Sequence, residues 1–174
     1  METNLNTIEP IVVTAFHEAA HAVVAIYHKI RFQQVSIISN ANSSGRVSFK
    51  QSFTDKEIHA IKSDIFTKRV ESKLRKHMAV DLAGFLTERR LGIADSAEEL
   101  PFNSDWNNLV DWSIRLKGCD VDQANLLIDQ ITEETEALIG KEEIWNKIES
   151  VAKALQENKE LTYEKVLELY NRPN

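Results

Sequence analysis

The apolar positions of this chain change period along its length, and each change marks an element. From about Glu9 to Lys29 the residues are apolar nearly all round, with Pro10 in a first-turn position. That pattern predicts a central helix rather than a surface one. Phe32 to Ser39 is β-branched with rough alternation at Val35 and Ile37, Asn40 to Gly45 (NANSSG) is turn chemistry, and Arg46-Val47-Ser48-Phe49 alternates again. Together they predict a β-hairpin or small sheet. Thr54-Asp55-Lys56-Glu57 is a capping box that opens a long helical region. Ile58, Ile61, Ile65, Val70, Leu74 and Met78 mark its face, and a more apolar part from Met78 to Leu91 ends near Gly92. Ala94 to Asn103 is acidic, holds Pro101 and reads as a loop. A helix then starts at Ser104 or Asp105, runs to about Lys117 and breaks at Gly118. Asp120 with Gln123 opens another that runs to Ile139, with Gly140 at its end, and helices over about 142–156 and 162–170 follow. The expected fold is mostly α with a small β-hairpin or sheet after the first helix, and no internal repeat is visible.

Composition narrows the class. A chain of 174 residues with 43% hydrophobic content suits one domain, 1–174, with a real core. The formal net charge of −6 argues against a nucleic-acid or anionic-membrane surface. The single Cys119 excludes an internal disulfide and a Cys-rich zinc site, fits a reducing interior, and reads as a small buried or loop residue. Met1 to Asn6 is polar and lacks a basic n-region. The apolar run Ile11 to Tyr27 is short for a membrane span and broken by His17, Glu18 and His21. A soluble, cytoplasmic protein with no membrane insertion is the expectation.

Those three interruptions carry the chemistry. His17-Glu18-Ala19-Ala20-His21 is an H-E-x-x-H string on a helix. Histidines four residues apart share a face, so two ring nitrogens can bind one metal ion, with the Glu beside it to take a proton from water. A catalytic zinc site needs a third protein ligand. The pattern H-E-x-x-H-x-x-G-x-x-H does not supply it, because Val24 and Tyr27 stand at the required Gly and His positions. His28 lies about 10.5 Å along the helix axis from His21, too far to share the ion, and reads as a histidine favourable to the helix C-terminus. Downstream, Asp81, Glu88, Asp95, Glu98, Glu99, Asp105 and Asp111 are candidates by type, and spacing does not choose among them. Glu88 could also accept a hydrogen bond from a ligand histidine, or simply pair with Arg89 or Arg90. The competing account of the string is a core helix whose histidines are satisfied by buried carboxylates. His59 and His77 lie in charged stretches and read as exposed.

Thr14-Ala15-Phe16-His17-Glu18-Ala19-Ala20-His21-Ala22-Val23-Val24-Ala25 resembles the zinc helix of the FtsH peptidase family. Val35-Ser36-Ile37-Ile38 and Gly45-Arg46-Val47 are similar to the strand pair that follows it there. The segment from Leu82 to Gly92 resembles that family's L-G-G-R-A-A-E-E helix loosely, and Asn103-Ser104-Asp105-Trp106 is similar to its S-N-D-L. The resemblance spans about residues 10–170, with specific motifs at 14–25 and 103–106. It implies Asp105 as the third zinc ligand beside His17 and His21, with Glu18 as the general base. Trp106, Trp112 and Trp145 read as packing residues, with a wall of the site as the alternative for Trp106 beside Asp105, and Asp111 reads as a surface residue. Ala20 replaces the family's usual Gly, Phe85 and Leu86 replace polar and small residues, and Arg89 reverses a usual acidic charge. The family's AAA+ ATPase and membrane anchor have no counterpart here, and no G-x-x-x-x-G-K-[ST] loop occurs.

The resulting expectation is a Zn2+-dependent metalloendopeptidase of unfolded proteins or peptides, with the catalytic part over about 9–118 and C-terminal helices over 120–171. Val35 to Ser39, or Val47 to Lys50, would pair with the substrate backbone by strand addition. The resemblance admits two further partners, a separate AAA+ ATPase and other copies of this chain. The alternatives are an inactive peptidase-like scaffold, with the C-terminal helices as an interaction surface, and a soluble peptidase subunit fed by a separate unfoldase.

Overall fold

The computed structural model describes residues 8–39, 44–50, 53–93 and 104–173. In chain order the elements are α1 (Pro10–Tyr27), β1 (Phe32–Ser36), β2 (Arg46–Phe49), α2 (Asp55–Lys62), α3 (Lys68–Arg90), α4 (Ser104–Leu116), α5 (Val121–Ile139), α6 (Glu142–Asn158), β3 (Glu160–Thr162) and α7 (Tyr163–Tyr170). The fold is mostly α with a small antiparallel sheet, as the sequence predicts.

α1 forms the axis of the core. Residues Ala19 to Ile26 are all buried, and the helix packs on α3, α6, α7 and the sheet. By length and composition alone α1 could cross a membrane, but here its apolar surface is covered by Leu82, Phe85, Ile148, Val151, Ala152 and their neighbours in one continuous cluster. A smaller cluster of Ile61, Val70 and Leu74 lies under α2, with Phe53, Phe66 and Trp112 against it.

The caps sit where the sequence places them. Thr54 and Glu57 form the reciprocal capping box of α2, and the Asp120 side chain accepts from the Gln123 amide at the start of α5. The long helical region after Thr54 is two helices, not one. α2 stops at Lys62, Asp64 adopts a left-handed φ of 53°, and the Ile65 amide donates back to the Ala60 carbonyl. Thr67 then caps α3 through the Val70 amide. Ile65, assigned above to the buried face, is 63% exposed. The apolar spacing widens to five residues between Ile65 and Val70, out of step with a helical face, and the break falls there.

The sheet also departs from the expectation. β1 ends at Ser36 rather than Ser39 and is the middle strand of the order β2-β1-β3. It pairs with β2 through Val35–Val47 and with β3 through Val35–Leu161, and the Ile37 amide donates to the Lys159 carbonyl. β1 therefore has no edge to offer a substrate, and of the two proposed docking strands only β2 has an unpaired side among the described residues. The short strand β3 went unread because three residues between two helices carry almost no periodic signal. The loop expected over 94–103 lies outside the described residues.

Candidate metal centre

α1 presents His17, Glu18 and His21 to a notch roofed by α3 and closed at one side by the start of α4. The helical spacing of four brings the two imidazoles side by side, with ring centroids 4.6 Å apart and planes at 73°. Glu18 and His21 are buried, each 6% exposed.

Room for His17 depends on Gly84 of α3. A Cβ at position 84 would stand 2.5 Å from His17 Nε2 and Cε1, well inside van der Waals contact. Alanine is the better helix former by about 1 kcal/mol in a helix interior, so glycine here is explained by the ring it admits. Gly45 plays the same part for Glu18: a Cβ there would lie 2.7 Å from Glu18 Cγ and Oε1.

Each histidine is held by its Nδ1. His17 Nδ1 donates to Glu88 Oε1 at 2.7 Å, and His21 Nδ1 donates to the Val80 carbonyl at 2.6 Å. A carbonyl only accepts, so in the neutral ring the His21 proton sits on Nδ1 and Nε2 is the nitrogen that can bind a cation in place of a second proton. The Glu88 carboxylate fixes His17 the same way. A carboxylate or carbonyl behind a ligating imidazole also raises its basicity toward a metal.

The third donor comes from the first turn of α4, a favourable position for a carboxylate at a helix N-terminus. Asp105 Oδ2 lies 3.5 Å from His21 Nε2 and 3.8 Å from His17 Nε2, and one donor atom from each residue falls within 4.8 Å of the others. These separations are long for hydrogen bonds. They fit the edges of a coordination tetrahedron, where ligands about 2.0–2.2 Å from an ion stand about 3.3 Å apart. Two imidazoles and one carboxylate suit Zn2+, and suit other first-row divalent ions as well.

The charges agree with a cation site. Burial opposes a charge on His17, but the Asp105 and Glu88 carboxylates outweigh it and push its pKa up to about 10. Burial likewise opposes a charge on His21, yet Asp105 raises it. Burial would raise Asp105, but the two histidines hold it well below the usual carboxylate range. Burial pushes Glu18 up, with His21 and His17 pulling partly back. Asp81, one residue past the carbonyl that holds His21, is pushed up to about 7 by burial and then by the Asp105 charge.

Of the residues singled out from the sequence, His17, Glu18, His21, Glu88 and Asp105 meet in one place. Asp111 pairs with Arg115 on the surface. Arg89 and Arg90 turn away from Glu88, to Glu136 and to the Trp145 ring. Trp106 is partly buried against the core. Asp95, Glu98 and Glu99 lie outside the described residues. Cys119 is exposed, in a turn with φ of 66°. His59 is exposed, but His77, read as exposed, is half-buried between the Phe49 and Phe53 rings. Asp81, a candidate by type, does not join the three donors, and the sequence did not single out Gly84, Gly45 or the Val80 carbonyl. For Gly84 there was a signal, an isolated glycine inside an otherwise strong helical pattern. No protein-family model matches the chain, and no curated protein matches it in sequence.

Proposed function

We propose that this protein is a metal-dependent endopeptidase of unfolded proteins or peptides. One observation carries the reading: three donor atoms from two separate helices converge within 4.8 Å of one another, two of them on imidazoles whose far nitrogens are already committed. The resemblance of residues 14–25 and 103–106 to the FtsH-type peptidases points the same way. His17, His21 and Asp105 would hold the ion, Zn2+ by preference, which when bound supplies Lewis acidity toward a carbonyl and acidifies a water.

The chain's own groups do the rest. Glu18, buried beside the two histidines, takes a proton from the attacking water and returns it to the amine nitrogen, so that the C–N bond breaks toward a neutral leaving group. Glu88 and the Val80 carbonyl keep both rings in one tautomer. β2 runs on from Gly45, which touches Glu18, so a peptide paired to its outer edge passes the proton acceptor. Backbone pairing reads little sequence, which suits an unfolded substrate.

Zinc per chain and cleavage of casein, measured on the reconstituted wild type, His17→Ala and Glu18→Gln, test the proposal. The expected result is about one zinc per wild-type chain, lost in His17→Ala, with Glu18→Gln keeping zinc and losing cleavage. A wild-type chain that takes up no metal overturns the reading. A loaded chain that leaves casein intact overturns the endopeptidase assignment.

A further inference from the structure

The surface at the C-terminal end of α1 reverses the charge of the molecule. The chain carries a net −6, yet a cleft of about 420 Å3 between the end of α1, the start of β1, the end of β2 and one face of α3 is lined by His28, Lys29, Arg31, Lys50, Lys76 and His77, with Lys73 at its side and no carboxylate in its wall among the described residues. We propose that this cleft binds a multiply charged phosphate chain, either inorganic or the polyphosphate tail of a nucleotide.

Several observations bear on it. Lys73 is already engaged by Glu57 at 2.8 Å, and the Arg31 guanidinium lies over the Tyr163 ring at 5.1 Å, which leaves its N–H edges as donors. Lys29 and Lys76 have no carboxylate partner among the described residues, and both are exposed. The bland account is that cations gather at a helix C-terminus to meet its dipole. That dipole is worth about half an elementary charge, and the Val24, Ala25 and Ile26 carbonyls near its end are already taken by the His28, Ile30 and Lys29 amides. Half a charge does not balance Lys29, Arg31 and Lys76 together. The two histidines report the same field. Burial lowers both, and then Lys76 lowers His28 further, while Lys73 and His28 lower His77. Of the acidic groups around it, Glu57 is spent on Lys73, Glu71 pairs with Arg75, and Glu134 is the last of the influences on His28. The cleft is pocket-sized and concave, which favours a small polyanion over a flat protein surface. Three cations, Lys29, Arg31 and Lys76, around one cleft favour a multiply charged phosphate chain over a single phosphate.

The test follows the His28 and His77 ring signals by NMR while sodium triphosphate, ATP and orthophosphate are added at constant ionic strength without divalent ions. Saturable shifts of both rings with triphosphate, at least ten-fold tighter than with orthophosphate, are expected. The exposed double variant Lys29→Gly/Lys76→Ala should lose that binding at least ten-fold and keep its fold. Because triphosphate chelates metals, the His17→Ala chain serves as control and should bind it unchanged. ATP tighter than triphosphate assigns the tail of a nucleotide, and equal affinity assigns the inorganic chain. Non-saturable shifts, or binding that survives in the double variant, overturn the proposal. Neither result depends on peptidase activity.

Discussion

The middle of α1 and its C-terminal end both set histidines among charged groups, and the two pairs respond in opposite directions. His17 and His21 lie among Glu18, Glu88 and Asp105, and their affinity for a proton rises despite burial. His28, with His77 across from it on α3, lies among Lys29, Lys73 and Lys76, and burial and charge act together to lower it. One helix thus carries the candidate metal centre and the basic cleft a few turns apart. Histidine is the same group in both; what differs is whether the neighbouring helix contributes carboxylates or ammonium groups. A histidine in a sequence therefore says little until its neighbours from distant segments are known.

The comparison can be broken most severely at its acidic pole. Asp105→Ala should abolish metal uptake at micromolar zinc, measured by elemental analysis after dialysis, with the helical circular dichroism retained. Glu18→Gln should leave metal content near wild type and lower cleavage about 10²–10⁴-fold; unchanged cleavage would remove Glu18 from the proton path. Glu88→Gln keeps the shape but weakens the acceptor behind His17, and should cost about 10–100-fold in zinc affinity. Gly84→Ala should act through the same ring. Helix propensity alone predicts a gain of about 1 kcal/mol, whereas the clash with His17 predicts a loss of about 1–3 kcal/mol together with weaker metal binding. A more stable variant that still binds zinc would show that the ring has another place to go.

The basic pole is probed by pH. His77 titrates at about 4 in the fold against 6.5 in the unfolded chain, so between those values the unfolded chain holds more protons. Its contribution to stability is intact above pH 6.5 and is lost as pH falls through about 4. Denaturant melts of wild type and His77→Gln should therefore diverge in slope over that window, with the variant flatter. The smallest effect belongs to Lys29, which holds a left-handed φ of 61°. Lys29→Gly should stabilise the chain by about 1 kcal/mol in a thermal melt, which makes its ammonium, rather than its backbone, the reason to look at that position.

How much of this was legible from residues follows the range of the interactions. His17, Glu18 and His21 share one turn, so their convergence was set by helical spacing alone. The caps at Thr54 and Asp120 were legible for the same reason. Asp105 was not: from type and spacing it was one of seven carboxylates, and only its similarity to a family motif separated it. Gly84 and the Val80 carbonyl act across helices, where position depends on packing that no local pattern encodes. Ile65 was misplaced because a face was extended through a break, and His77 because charged neighbours in sequence concealed two phenylalanines in space. β3 was missed since its partner strand is more than a hundred residues away.

That long reach has a consequence for how the chain is made. α1 is sealed by α6, and β1 by β3, so the segment translated early waits for residues 142–162 before its apolar surface has anywhere to go. At ordinary elongation rates the interval is on the order of ten seconds. Throughout it the nascent chain displays a helix that by composition could pass for a membrane span, and a sheet with its middle strand still open. Synthesis of this protein is therefore its most aggregation-exposed moment, and a stalled ribosome upstream of α6 would leave α1 as a client for whatever chaperone reaches it first.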